Sequence, residues 1–158
     1  MQPTLFLIAL LTFSVCLATP GPITYSMCSE PGAIGRIDDV SISPNPVQPR
    51  VVTVVNATGT LSKTINKGAT WKLSASFNKL TVLWKNGDLC EDSVINLPFW
   101  TGHIYITGLK CPQEKGQITL QESAEFSVTP LSGVYGIHAE MFDENHDQIL
   151  CLDIEVPM

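Results

Sequence analysis

Trp71-Lys72-Leu73-Ser74-Ala75-Ser76-Phe77, residues 71–77, alternates without a break: odd positions are apolar and even positions polar. Successive side chains of a strand point to opposite faces, so this stretch buries one face and wets the other. Tyr135-Gly136-Ile137-His138-Ala139-Glu140-Met141 repeats the pattern, again with the odd positions apolar. So does the last run, where Leu150, Leu152, Ile154 and Val156 stand against Cys151, Asp153 and Glu155. Working outward, further β-type runs cover 36–42, 51–60, 69–77, 79–85, 117–128, 133–142 and 148–156. They are parted by SPNPVQP (43–49), NKG (66–68), NGD (86–88), TPLSG (129–133) and DENHDQ (143–148). Short strands at even spacing, with no 3.6-residue period and no internal repeat, predict one all-β domain, an antiparallel β-sandwich.

The first eighteen residues carry no charged side chain, hold an apolar run from Leu5 to Leu11 and end in Cys16-Leu17-Ala18. That is the pattern of a secretory signal peptide, so residues 1–18 are expected to be removed and residues 19–158 to form the folded domain. Cys28, Cys90, Cys111 and Cys151 then remain, an even set in an oxidising compartment. Their spacing fits no zinc motif, and four cysteines allow three pairings that sequence alone does not choose. The formal charge of −6 at pH 7, with Lys and Arg scattered, excludes nucleic acid as the expected partner.

Catalytic constellations are not evident. His138 alternates with Ala139 and Glu140 and reads as half of a surface pair. Asp143-Glu144-Asn145-His146-Asp147 begins like a calcium loop but has Gln148 where glycine is needed at the sixth position and Ile154 at the twelfth, so it reads as a polar turn. No metal, no cofactor and no enzyme activity are expected. Val51-Val52-Thr53-Val54-Val55 is apolar on both faces and suits a central strand. It runs into the sequon Asn56-Ala57-Thr58, which makes Asn56 a candidate glycosylation site.

At IGRIDDVSISPNPVQP (34–49) the chain resembles the opening of the ML (lipid-recognition) domain family. That family includes fungal and amoebal phosphatidylglycerol/phosphatidylinositol transfer proteins, the sterol carrier defective in Niemann-Pick type C disease, and mite group 2 allergens. The elements that carry the resemblance are Cys28, the turn from Gly32 to Gly35, Ile37 and Val40, Ser43-Pro44-Asn45-Pro46, Cys90 with Cys111-Pro112, and Cys151. NGDLCE, GLKCP and ILCL look most similar to the phospholipid transfer branch. The resemblance implies an immunoglobulin-like antiparallel sandwich with an apolar cavity between its sheets, and the pairing Cys28–Cys151 and Cys90–Cys111. It also implies a phospholipid ligand, a monomer with transient membrane contact, and a secreted protein or one in the lumen of the endosomal, lysosomal or vacuolar route. A sterol carrier and an extracellular protein-recognition module are the alternatives. The sterol carrier's additional cysteine pair has no counterpart here, its places resembling Asn45 and Arg50.

Alternation together with the family picture names Trp71, Leu73, Phe77, Val82, Phe126, Val128, Tyr135, Ile137, Ala139 and Met141 as the pocket lining. Between Cys90 and Cys111 the chain is longer than that branch's spacing, so residues 95–106 read as an insert near the pocket mouth. Phe99 and Trp100 would then touch a membrane, or, if Leu97-Pro98-Phe99 matches the sterol carrier's rim, Phe99 would edge the pocket. A further reading is that the stretch is dispensable to the fold.

Overall fold

The computed structural model describes residues 21–127 and 131–158, apart from the side chain of Phe99; the expected signal segment and Val128 lie outside the described residues. Ten strands form two antiparallel sheets. In chain order they are β1 (Thr24–Met27), β2 (Gly35–Ser43), β3 (Thr53–Leu61), β4 (Thr70–Phe77), β5 (Leu80–Asp88), β6 (Ser93–Asn96), β7 (Gly102–Ile106), β8 (Gly116–Phe126), β9 (Val134–Phe142) and β10 (Gln148–Pro157). The first sheet runs β1-β10-β9-β4-β5 and the second β2-β3-β8-β7-β6.

Cross-strand register turns the alternation into two faces. Trp71 pairs with Met141, Leu73 with Ala139, Ala75 with Ile137 and Phe77 with Tyr135. On the next strand Leu150, Leu152, Ile154 and Val156 oppose Met141, Ala139, Ile137 and Tyr135. Directly opposed residues of an antiparallel pair share a face, so all of these point into the sandwich. In the second sheet Gly59 and Ile118, Ala57 and Leu120, and Val55 and Glu122 are matched in the same way.

Two strands lie within the stretch between Cys90 and Cys111. Residues 95–106 are not a tip hung on a finished sandwich: β6 pairs with β7 and β7 with β8, and Ile95 is buried in the core opposite Ile104. Only the turn between them, containing a single 3₁₀ turn at Pro98–Trp100, stands clear of the sheet.

Most of the buried core is gathered toward one end of the sandwich, in Ile34, Leu61, Ile65, Ala69, Leu89, Leu109, Ile149 and Leu150 with Trp71 and Leu73, while Ile95, Val47 and Val156 are buried nearer the other. Backbone hydrogen bonds tie the sheets together there. Ile34 N–H, ahead of β2, donates to Gln148 O of β10 at 3.0 Å, and Leu109 N–H, after β7, donates to Leu89 O, after β5, at 2.8 Å. Both disulfides also lie toward this end, pairing Cys28 with Cys151 and Cys90 with Cys111 as the resemblance implies. Asp143, fully buried, accepts the N–H groups of Asn145 and Asp147 at 2.9 and 2.8 Å, and Lys63 reaches Asp143 and Asp147 at 3.3 and 2.8 Å. The segment that begins like a calcium loop is thus a turn fastened by its own acid and one lysine. Burial alone would raise the Asp143 pKa, but those two N–H groups and the Lys63 ammonium hold it below the ordinary value.

Candidate functional site

Tight packing gives way at the opposite end. Phe77 and Tyr135, paired across β4 and β9, are half-buried with ring centroids 4.9 Å apart. A Cβ at Gly133 would lie 2.5 Å from the Phe77 ring, so the chain leading into β9 passes directly over that ring only because the residue is glycine. Phe126 ends β8 on the inner face of the second sheet and is also half-buried. Hydrogen bonds here run within each sheet: Asn78 N–H donates to Val134 O, Arg50 N–H to Phe126 O and Ser127 N–H to Thr101 O. Among the described residues the bond that crosses between sheets at this end is Ile23 N–H to Asn45 Oδ1, 2.8 Å and exposed.

The same end carries much of the molecule's exposed apolar surface. Trp100 is 90% exposed, Leu80 72% and Leu131 71%, with Val51, Val52 and Val134 also open to solvent. They stand on four segments whose adjoining strands register places side by side: 44–52, 78–79 with the start of β5, 97–101, and 131–133 with the start of β9. None of these segments contains an acidic side chain, and Arg50 and Lys79 lie on them, both exposed.

Between the sheets, toward the closed end, lies an apolar cavity of about 20 Å³, bounded by Ile37, Leu61, Leu109, Ile118, Leu120, Met141 and Leu150 among others. A ligand pocket holds roughly 300–1,000 Å³, so in this conformation the sheets are nearly closed on one another. Alternation identifies Met141 but not Ile37, Ile118 or Leu120; the parity of Ile118, Leu120 and Phe126 along β8 is the available signal.

The other expected lining residues divide. Phe77, Phe126, Tyr135, Ile137, Ala139 and Met141 occupy inner faces and none is fully buried. Trp71 and Leu73 share that face but are packed into the closed core, the Trp71 ring so close to β5 that a Cβ at Gly87 would come within 2.6 Å of it. Val82 is exposed, because a bulge opposite Ala75 and Ser76 breaks the alternation of β5 there. Pro98–Trp100 lies at the open end, and the Phe99 side chain is outside the described residues.

His138 is on the outer face of the first sheet, with Nδ1 2.7 Å from Asp153 and Nε2 4.0 Å from Glu140. The Cys28 sulfur is 3.9 Å from the same ring, but it is bonded to Cys151 and offers no thiolate to a metal. Asn56 points outward from β3 and accepts a hydrogen bond from Gln121 at 3.0 Å. No helix among the described residues is long and apolar enough to cross a membrane.

Two antiparallel sheets with facing apolar interiors, joined by Cys90–Cys111 and backbone hydrogen bonds at one end and apolar at the rim of the other, define an immunoglobulin-like β-sandwich. The chain belongs to the ML domain family, whose model matches residues 22–158. It is 32% identical over 133 residues to a phosphatidylglycerol/phosphatidylinositol transfer protein of Aspergillus fumigatus, a match covering 84% of this chain and 69% of that one. A protein of the same name from Aspergillus oryzae is 30% identical, over 85% of this chain and 71% of its own. Among solved structures, a Niemann-Pick type C2 protein from Japanese carpenter ant aligns with a TM-score of 0.56 at 16% identity, covering 84% of this chain and 96% of that one. Chicken MD-1 complexed with lipid IVa aligns with a TM-score of 0.51 at 21% identity, over 85% and 88%. Both structures share the fold.

Proposed function

We propose that this chain carries a phospholipid, with phosphatidylglycerol and phosphatidylinositol as the first candidates, and moves it between membranes. One observation carries the reading: exposed Trp100, Leu80, Leu131, Val51 and Val52 rim the end where no backbone–backbone hydrogen bond joins the sheets among the described residues, and the inner faces run from that rim into an apolar interior. A soluble protein has no use for a ring of large apolar side chains that cover nothing. A carrier must let hydrocarbon pass from a bilayer into its interior without crossing water, and such a ring does that. Each sheltered methylene contributes about 0.8 kcal/mol, so an acyl chain supplies free energy toward separating the sheets, which among the described residues are joined at the mouth by one exposed hydrogen bond. Trp100 suits the bilayer interface, being apolar with a single N–H. Arg50 and Lys79 would meet lipid phosphates, in a chain otherwise acidic.

The names of the curated relatives agree with this reading, and the two disulfides fit a secreted or lumenal compartment. In that setting the protein acts as a monomer in passing contact with membranes, and Asn56 faces outward where a glycan could be attached. The test is to incubate the purified protein with mixed vesicles, separate it and identify its lipid by mass spectrometry. Stoichiometric phosphatidylglycerol or phosphatidylinositol supports the proposal. Sterol in its place moves the protein to the sterol carriers, and no lipid at all favours a protein-recognition module.

A further inference from the structure

Two polar side chains interrupt the apolar inner face that β3 and β8 form in the second sheet. Thr53 opens β3 opposite Ala124, is 3% exposed, and its Oγ1 has no hydrogen-bond partner. A hydroxyl buried in that state costs roughly 1–3 kcal/mol, which valine, of nearly the same shape, would avoid. Trp71 Nε1 is the other unpartnered buried atom among the described residues, but it is wedged against β5 in the filled core. Thr53 instead stands just inside the mouth. Two residues deeper the face carries Glu122 opposite Val55. Its carboxylate accepts Thr107 N–H at 2.9 Å, and among the described residues it forms no ion pair with Lys, Arg or His. Beyond Glu122 the face is apolar again through Ala57, Leu120 and Ile118 to the closed end.

We propose that Thr53, with Glu122 one row deeper, holds the ester region of a diacyl lipid, leaving the tails to the apolar depth and the head group at the mouth. The proposal rests on the carrier reading above. Diagonal neighbours on one face of adjacent strands, as Thr53 and Glu122 are, lie about 7–8 Å apart, which is the scale of a glycerol backbone with its two ester carbonyls. Those carbonyls only accept hydrogen bonds, so the lining must donate them. Thr53 Oγ–H is a donor with nothing else to bind. Burial drives the Glu122 pKa up to about 7, against the opposing pull of Thr107 N–H and with the help of Asp92. In mildly acidic solution its carboxyl therefore holds a proton and becomes a second donor. An acyl lipid would thus satisfy in the complex what is left unpaired without it, while the phosphate remains beside Arg50 and Lys79.

The experiment compares dioleoylphosphatidylglycerol with its diether analogue, which has the same tails and head group but no carbonyls, in competition for the purified protein at pH 6. Wild type should favour the diester by about 3- to 10-fold, the range of one net hydrogen bond. Thr53→Val should lose most of that preference with no loss of thermal stability, and Thr53→Ser should keep it; Thr53→Ala serves if valine fails to fold. Equal binding of the two lipids by wild type, or an undiminished preference in Thr53→Val, overturns the polar step and leaves the carrier standing. Binding of neither lipid overturns the carrier reading itself.

Discussion

The two ends of this sandwich are built from the same strands and behave as opposites. At the closed end, side chains from both sheets interlock around Ile65, backbone hydrogen bonds cross between the sheets, and Cys90–Cys111 joins the crossover after β5 to the loop after β7. At the open end, among the described residues, one exposed hydrogen bond, Ile23 N–H to Asn45 Oδ1, crosses between the sheets, the backbone bonds stay within each sheet, and large apolar residues face solvent. One end supplies the stability of the domain. The other gives up stabilising burial so that it can make contact with something outside the chain.

Substitutions at the two ends probe that difference most sharply. Ile65 is 0% exposed, and Ile65→Ala should destabilise by about 3 kcal/mol, because it opens a cavity where neighbours are pinned from two sheets. Leu80→Ala at the mouth should change stability by less than about 0.5 kcal/mol. Urea denaturation of both variants checks the contrast, and comparable losses would mean that the ends are not distinct.

A second effect, on the order of 2 kcal/mol, should come from pH. Glu122 has its pKa raised from 4.5 to about 7 in the folded protein. Between those values the native state keeps a proton that the unfolded chain has lost, so stability falls as pH rises through that window and Glu122→Gln should flatten the slope. Asp143 works in the opposite sense, its folded pKa lying below 3.8. Its contribution is complete above that value and fades as the solution is acidified through the depressed one. Thermal unfolding from pH 3 to pH 8 should therefore peak on the acid side of neutrality; a maximum above pH 7 would contradict the Glu122 assignment, and stability undiminished down to pH 3 would contradict that of Asp143.

The smallest effect on stability should accompany a large one on function. Replacing Trp100 and Leu80 with serine should leave unfolding unchanged within about 0.5 kcal/mol, yet slow lipid transfer between vesicles severalfold with little dependence on salt, since the contact is apolar. Unchanged transfer would remove these residues from the mouth.

The sandwich and its inner faces are legible in the sequence because one-sided burial imposes period two on long strands, as Trp71–Phe77 and Tyr135–Met141 show. Alternation reports the face a residue occupies and not the end, so Trp71 and Phe77 look alike although one fills the core and the other edges the open end. Short strands stay hidden. Ser93–Asn96 and Gly102–Ile106 have too few residues to display a period, and Val94 and Tyr105 keep apolar side chains on the solvent side. Val82 is displaced by a bulge that no pattern announces. Thr53 and Glu122 escape notice because a polar residue on an inward parity interrupts an apolar face instead of announcing a site.

If an acyl lipid enters at the open end and lies between the sheets, the three tryptophans mark its position: Trp71 in the interior, Trp84 exposed on the outer side of the first sheet, and Trp100 at the mouth. Single-tryptophan variants, with the other two changed to phenylalanine, would be loaded with phosphatidylglycerol brominated near the acyl chain end and freed of vesicles, since bromine quenches an indole it touches. A lipid between the sheets should quench Trp71 strongly and leave Trp84 at full intensity. Quenching of Trp84 with Trp71 undimmed would place the lipid on the outside of the sandwich and contradict enclosure.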